Sequence, residues 1–138
     1  MFAHFAEGHQ RRMIAFNSDS PHLPPAVLEE AFETLAAHDV VVGPTSDGGY
    51  YLVGAKACHP TLFTGDGMGT RSALERLLSG ARVLELSVGL ADSFYDIDVA
   101  DDMLRLAAEL RRAPARAPRT ALWLKQWGGQ LRAGEGDL

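Results

Sequence analysis

A single cysteine, Cys58, in 138 residues rules out an internal disulfide and any cysteine-built zinc cluster. Such a lone thiol reads as a small filler residue in a reducing compartment. The five histidines (His4, His9, His22, His38 and His59) show no paired metal-ligand spacing of the HExxH kind, so they read as surface or structural residues. No apolar run approaches the ~20 residues a membrane-spanning helix requires. Met1 to Gly8 also lacks the basic start and long apolar stretch of a signal peptide. A cytoplasmic location with no membrane partner is expected. Basic charge is scarce too: 13 Lys and Arg stand against 18 Asp and Glu, a net charge of −5. A general nucleic-acid binder needs a basic face for phosphates, so none is expected here. Internal repeats are absent.

What is present describes one globular domain, with 46% apolar and 22% charged residues. Residues 1–131 are expected to form it, with 132–138 a flexible glycine-rich tail. Phe2, Phe5 and Ala6 before Gly8 read as the last turns of an amphipathic helix. Met13 to Phe16 reads as a buried strand. Pro21, Pro24 and Pro25 stop it and open a helix carrying Val27, Leu28, Ala31, Phe32 and Leu35. Val40 to Val42 and Tyr50 to Ala55 read as further strands, with at least one of Tyr50 and Tyr51 in the core. Lys56 to Gly69 reads as loop. A short helix through Ala73, Leu74, Leu77 and Leu78 is expected to end near Gly80, followed by strands at Val83–Leu86 and Phe94–Asp98. Met103, Leu104, Ala107 and Leu110 mark a helix ending before Pro114. After a linker at 113–118, a last helix spans about 119–131, with Leu124, Trp127 and Leu131 on one side. Arg105, Arg111, Arg112, Arg116 and Arg119 read chiefly as a solvated helix face, with anion binding the lesser reading. Strands alternating with helices predict an α/β fold, a mostly parallel sheet sandwiched by helices.

Three acidic turns follow or open short apolar runs: Asn17-Ser18-Asp19-Ser20-Pro21, Asp47-Gly48-Gly49-Tyr50, and Asp96-Ile97-Asp98 with Asp101 and Asp102. Ligands of open α/β sheets bind beyond strand carboxyl ends, where Asp19 is expected to lie. Magnesium needs few protein ligands of hard oxygen, because it retains water and substrate phosphate oxygens. Asp19 and Asp98 are therefore candidate metal ligands, with Asp96 two residues from Asp98. Each motif has a plainer rival. Turn chemistry accounts for Asp19 equally well. A hairpin turn explains Asp47-Gly48-Gly49, and helix capping is the better account of Asp101 and Asp102.

The ordered set Ser18-Asp19-Ser20-Pro21-His22-Leu23-Pro24-Pro25, Val42-Gly43-Pro44 with Asp47-Gly48-Gly49-Tyr50-Tyr51-Leu52-Val53-Gly54, and Asp96-Ile97-Asp98 with Asp102 resembles a family. It is similar to the bacterial glycosyltransferase-A-like transferases called radical-SAM/selenodomain-associated, which have the nucleotide-diphospho-sugar transferase fold. The resemblance runs over roughly residues 8–131 and includes the closing Pro118-Arg119-Thr120-Ala121-Leu122-Trp123-Leu124. It implies Mg²⁺ or Mn²⁺, a nucleotide-activated donor and a small acceptor. Asp19 and Asp98 then match the metal positions, Asp47 the catalytic one, and Gly48, Gly49 and Tyr50 the acceptor side. Two departures stand out: Val99-Ala100 where the family's turn has Thr-Pro, and Asn17 where glycine is usual. The resemblance also implies strands ahead of Met13 that this chain lacks. The front half would be missing, and Met13–Phe16 would lie at an exposed edge open to a second copy or a partner chain. A non-catalytic half-domain is thus the alternative expectation. A haloacid-dehalogenase-type phosphatase fits less well, because Asn17 occupies the place of its first aspartate.

Overall fold

A computed structural model describes residues 12–63 and 70–133, with side chains as far as Gly129. The expected helix end at Phe2–Ala6, the glycines between 65 and 69 and the tail from 134 lie outside the described residues, as does the side chain of Leu131. The chain divides into two compact units, one of residues 1–17 and 25–95, the other of 18–24 and 96–138.

The first unit is built on a four-stranded sheet: β1 (Met13–Phe16), β2 (Val40–Pro44), β3 (Tyr50–Ala55) and β4 (Val88–Leu90), in the order β1-β3-β2-β4. β3 is antiparallel to both β1 and β2, while β4 runs parallel to β2. The sheet is therefore mixed, correcting the expected mostly parallel one. The reason is local. Only residues 45–49 join β2 to β3, whereas a parallel crossover takes a dozen or more. β3 runs against its three companions and is buried along its whole length, which is why Tyr50 to Ala55 reads as an unbroken apolar run. Both tyrosines are in the core, Tyr50 8% and Tyr51 0% exposed. At Gly54 a Cβ would meet Ile14 and Val41 side chains at 2.8 Å, so β3 fits between its neighbours only without one. Asp39 Oδ2 accepts from the Ser87 amide and hydroxyl, both at 2.9 Å, pinning the start of β4 beside that of β2.

Helix α1 (Pro25–Ala37) begins at a proline whose missing N–H costs nothing in a first turn, and it buries Ala31 and Leu35. Helix α2 (Ala73–Val83) buries Ala73, Leu77 and Ala81, a four-residue repeat that carries it past Gly80. Glu85 then takes a left-handed φ of 54°, and Leu86 N–H bonds Ala81 C=O at 2.9 Å, closing the helix. The strand expected at Val83–Leu86 is thus a helix end and turn, and the strand lies at Val88–Leu90. A short apolar run does not by itself distinguish the two, and Val83 is 82% exposed. The strand expected at Phe94–Asp98 is also absent: Phe94 makes one isolated parallel bridge with Thr45. Contacts of its ring hold it instead, against Tyr51 (centroids 5.8 Å apart) and Tyr95 (5.5 Å).

In the second unit, helices α3 (Ala100–Arg112) and α4 (Pro118–Ala133) are joined through a short 3₁₀ turn, Pro114–Arg116, inside the expected linker. Leu106, Leu110, Ala117 and Leu124 form its core, with Ile97, Met103, Ala107 and Ala121 against them. Trp127, expected beside Leu124, is 47% exposed. Asp102 Oδ2 accepts the Asp98 and Val99 amides at 3.1 Å each, so this carboxylate caps α3 as its place in the first turn predicts. No helix among the described residues is long and apolar enough to cross a membrane.

Candidate functional site

In the second unit, the loop from Ser18 to Pro24 turns at Pro21, where Leu23 N–H bonds Ser20 C=O at 3.0 Å. Two bonds fasten it to the acidic segment ahead of α3. Ile97 N–H donates to Asp19 C=O at 3.0 Å, and Ser20 Oγ donates to Asp96 Oδ1 at 3.2 Å. Asp19 and the Asp96–Asp98 segment therefore adjoin, although 77 positions separate Asp96 from Asp19 in sequence. Both Asp19 and Asp98 are exposed, while Asp96 is half-buried and occupied by Ser20. Residues two apart share one face of an extended strand, so the difference in exposure goes with a segment that is irregular rather than a strand.

A second fastening lies farther along the same loop. His22 is fully buried, with Nε2 3.6 Å from Glu109 Oε2 on α3. Arg116 donates from Nη2 to the His22 carbonyl at 3.1 Å and stands 3.8 Å from Glu109 Oε2. Arg105 donates to the other Glu109 oxygen at 3.3 Å. Burial pushes the His22 pKa below its ordinary value, Glu109 acting against that shift and the two arginines with it. The imidazole is accordingly neutral at pH 7. Sequence reasoning had no access to this cluster, because His22 and Arg116 lie 94 positions apart. Their pairing becomes visible only once the loop is laid against α3.

Asp47, Gly48, Gly49 and Tyr50 belong to the first unit, where they form and leave the β2–β3 hairpin. Thr45 N–H bonds Gly49 C=O at 3.0 Å. Asp47 Oδ1 accepts from Thr45 Oγ1 and from Gly49 N–H. These bonds hold the Asp47 carboxyl below its ordinary pKa, so it is ionised through the neutral range. Gly48 has φ +92°, and a Cβ there would fall 2.0 Å from the Arg71 carbonyl oxygen. The turn thus demands this glycine for its own backbone. Tyr50 is buried, which raises its phenol pKa. Tyr51 donates to Asp92 C=O at 2.8 Å, and burial pushes it up to about 12.

Residues 1–70 match the model of a family described as an uncharacterized protein conserved in bacteria, DUF2064. The chain belongs to that family. The match includes Asp19 and the Asp47–Tyr50 hairpin and stops short of Asp98. Among solved structures, this DUF2064 chain is similar to a protein of Desulfovibrio desulfuricans G20, provisionally named a nucleotide-diphospho-sugar transferase. Identity is 26% over 95% of this chain, with a TM-score of 0.82. The aligned part is 57% of that protein, so the chain spans little more than half its length. No curated protein matches. The likeness establishes a glycosyltransferase-A-like α/β fold, here with a mixed sheet flanked by helices. It does not single out the radical-SAM/selenodomain-associated branch.

The donor set bears on a cation. Asp19 and Asp98 offer hard carboxylate oxygens open to solvent, the chemistry Mg²⁺ and Mn²⁺ select. Among the described residues no group of three or more His, Cys, Asp or Glu is placed to enclose a metal. Any cation held there needs ligands beyond these two carboxylates, such as water or a phosphate oxygen.

Proposed function

We propose that this chain carries the metal-binding part of a transferase that uses a nucleotide-activated donor, moving a glycosyl or nucleotidyl group to a small acceptor. The observation that carries the reading is the junction of the Asp19 loop with the Asp96–Asp98 segment, which sets two exposed carboxylates on adjoining backbone. In this reading Asp19 and Asp98 hold Mg²⁺ or Mn²⁺, which when bound offsets donor phosphate charge. The Gly48-Gly49 turn and Tyr50 belong to the acceptor side in this reading, Gly48 shaping the turn against the Arg71 carbonyl and Tyr50 supporting it from the core. Asp47 has two possible duties, and its depressed pKa favours orienting an acceptor hydroxyl over taking its proton. The transfer forms a bond from the acceptor oxygen to the moving group. The bond to the donor phosphate breaks, its electron pair leaves on that phosphate oxygen, and the hydroxyl proton is released.

Calorimetric titration with Mn²⁺ plus UDP- or GDP-sugars, CTP or GTP tests it, on this chain beside a longer family member. Asp19→Ala and Asp98→Ala should each weaken metal-dependent nucleotide binding about tenfold or more, roughly 1.4 kcal/mol. Binding that survives both substitutions unchanged removes the metal roles. Binding by the longer protein alone means that the nucleotide site needs residues beyond this chain. A second reading is a partial domain that pairs through its sheet edge, which a clean monomer at high concentration in light scattering would count against. That reading is supported by β1, which lies at the end of the strand order with Phe16 53% exposed.

A further inference from the structure

Helices α3 and α4 leave an open groove of about 1250 Å³, lined by Leu104, Ala107, Pro118, Ala121 and Leu122 and edged by Arg111 and Lys125. Leu122 is 58% exposed. The charge around the groove runs one way. Both charged residues that line it, Arg111 and Lys125, are cationic, in a chain whose net charge is −5. An apolar floor between two helices with a cationic rim is the form that receives a third, acidic amphipathic helix.

Among the described residues, α1 is such a helix, with part of its surface exposed. α1 carries Glu29, Glu30 and Glu33 and no basic residue. Phe32 is 42% exposed despite its size. On the helix surface, Glu29 lies three residues before Phe32 and Ala36 four after it, so an aromatic anchor sits on one exposed face beside a carboxylate, with Arg12 on its carbonyl at 3.4 Å. We propose that α1 of a second copy of this chain docks in the α3–α4 groove, Phe32 entering the apolar floor and Glu29 and Glu33 meeting Arg111 and Lys125. Two different surfaces make a heterologous contact, so copies either close reciprocally or add head to tail. The contact uses neither β1 backbone pairing nor the Asp19 and Asp98 carboxylates, although Arg12, just before β1, donates to the Phe32 carbonyl at 3.4 Å.

Sedimentation velocity on the whole chain tests the proposal. Self-association is expected, weakening as salt is raised because the rim pairs are screened. Phe32→Ala and Leu122→Glu should each weaken it by roughly thirtyfold or more while leaving the circular dichroism spectrum intact. Glu29→Lys/Glu33→Lys and Arg111→Glu/Lys125→Glu chains should each fail to self-associate, yet associate when mixed. A chain that stays monomeric at every concentration overturns the proposal. So does association that survives Leu122→Glu, or that is lost with Phe16→Asp at the sheet edge and unaffected by Phe32→Ala. None of these variants touches Asp19, Asp98 or Asp47, so Mn²⁺-dependent nucleotide binding reports on the transferase reading separately.

Discussion

In the sheet unit, β3 buries all of its residues between β1 and β2. In the helical unit, a buried imidazole leans on a partly exposed carboxylate that two guanidinium groups also approach. The first arrangement draws its stability from area removed from water, at about 25 cal/mol per Å². The second depends on a few directional contacts between loop and helix, each of modest net worth. A sheet core tolerates no change of shape, whereas a polar tie positions a loop without committing much stability to it. The loop so positioned carries Asp19.

The sharpest way to break this contrast is to remove Tyr51. Tyr51→Ala deletes a fully buried ring and its bond to Asp92, and should cost about 3–5 kcal/mol in urea unfolding. Gly48→Ala comes next, at about 3 kcal/mol, because a left-handed backbone and the Arg71 carbonyl both oppose a Cβ. Arg116→Ala should cost only about 1 kcal/mol, since its partners are a carbonyl and a partly solvated carboxylate. If Arg116→Ala costs as much as Tyr51→Ala, the helical unit depends on its polar tie far more than this account allows.

The smallest effect is a pH dependence that belongs to the helical unit. Burial lowers the folded-state pKa of His22, so the unfolded chain takes up the proton first. His22 therefore contributes stability above its unfolded pKa of about 6.5, and that contribution is lost as pH falls from there through the folded value. Melting temperature should decline between pH 7.5 and 5.5, and His22→Gln should flatten that limb. An unchanged slope in the variant would assign the decline to other groups.

Much of the sheet was legible because its strands are short apolar runs bounded by proline, glycine and acidic turns. Met13–Phe16, Val40–Val42 and Tyr50–Ala55 were all read as strands, and α1 and α3 followed from their helical spacing. The misread segments are those where composition is neutral between states. Val83–Leu86 has strand-like residues, yet the spacing of Ala73, Leu77 and Ala81 extends the helix through it. Phe94–Asp98 has a strand's residues and is held by ring contacts instead. Strand direction was misjudged too, although the five residues between β2 and β3 could have signalled a hairpin.

The candidate site divides in the same way. The sequence alone determined which carboxylates stand in turns, that Asp102 would cap α3, and that Asp47-Gly48-Gly49 would shape a turn, because these are local properties of side chain and backbone. Only the tertiary structure decided that Asp19 adjoins Asp96–Asp98, that His22 is buried against Glu109 with Arg105 and Arg116 around it, and that Arg111 edges an apolar groove. Those relations depend on how distant segments are laid together by burial, and no local pattern encodes a partner nearly a hundred residues away.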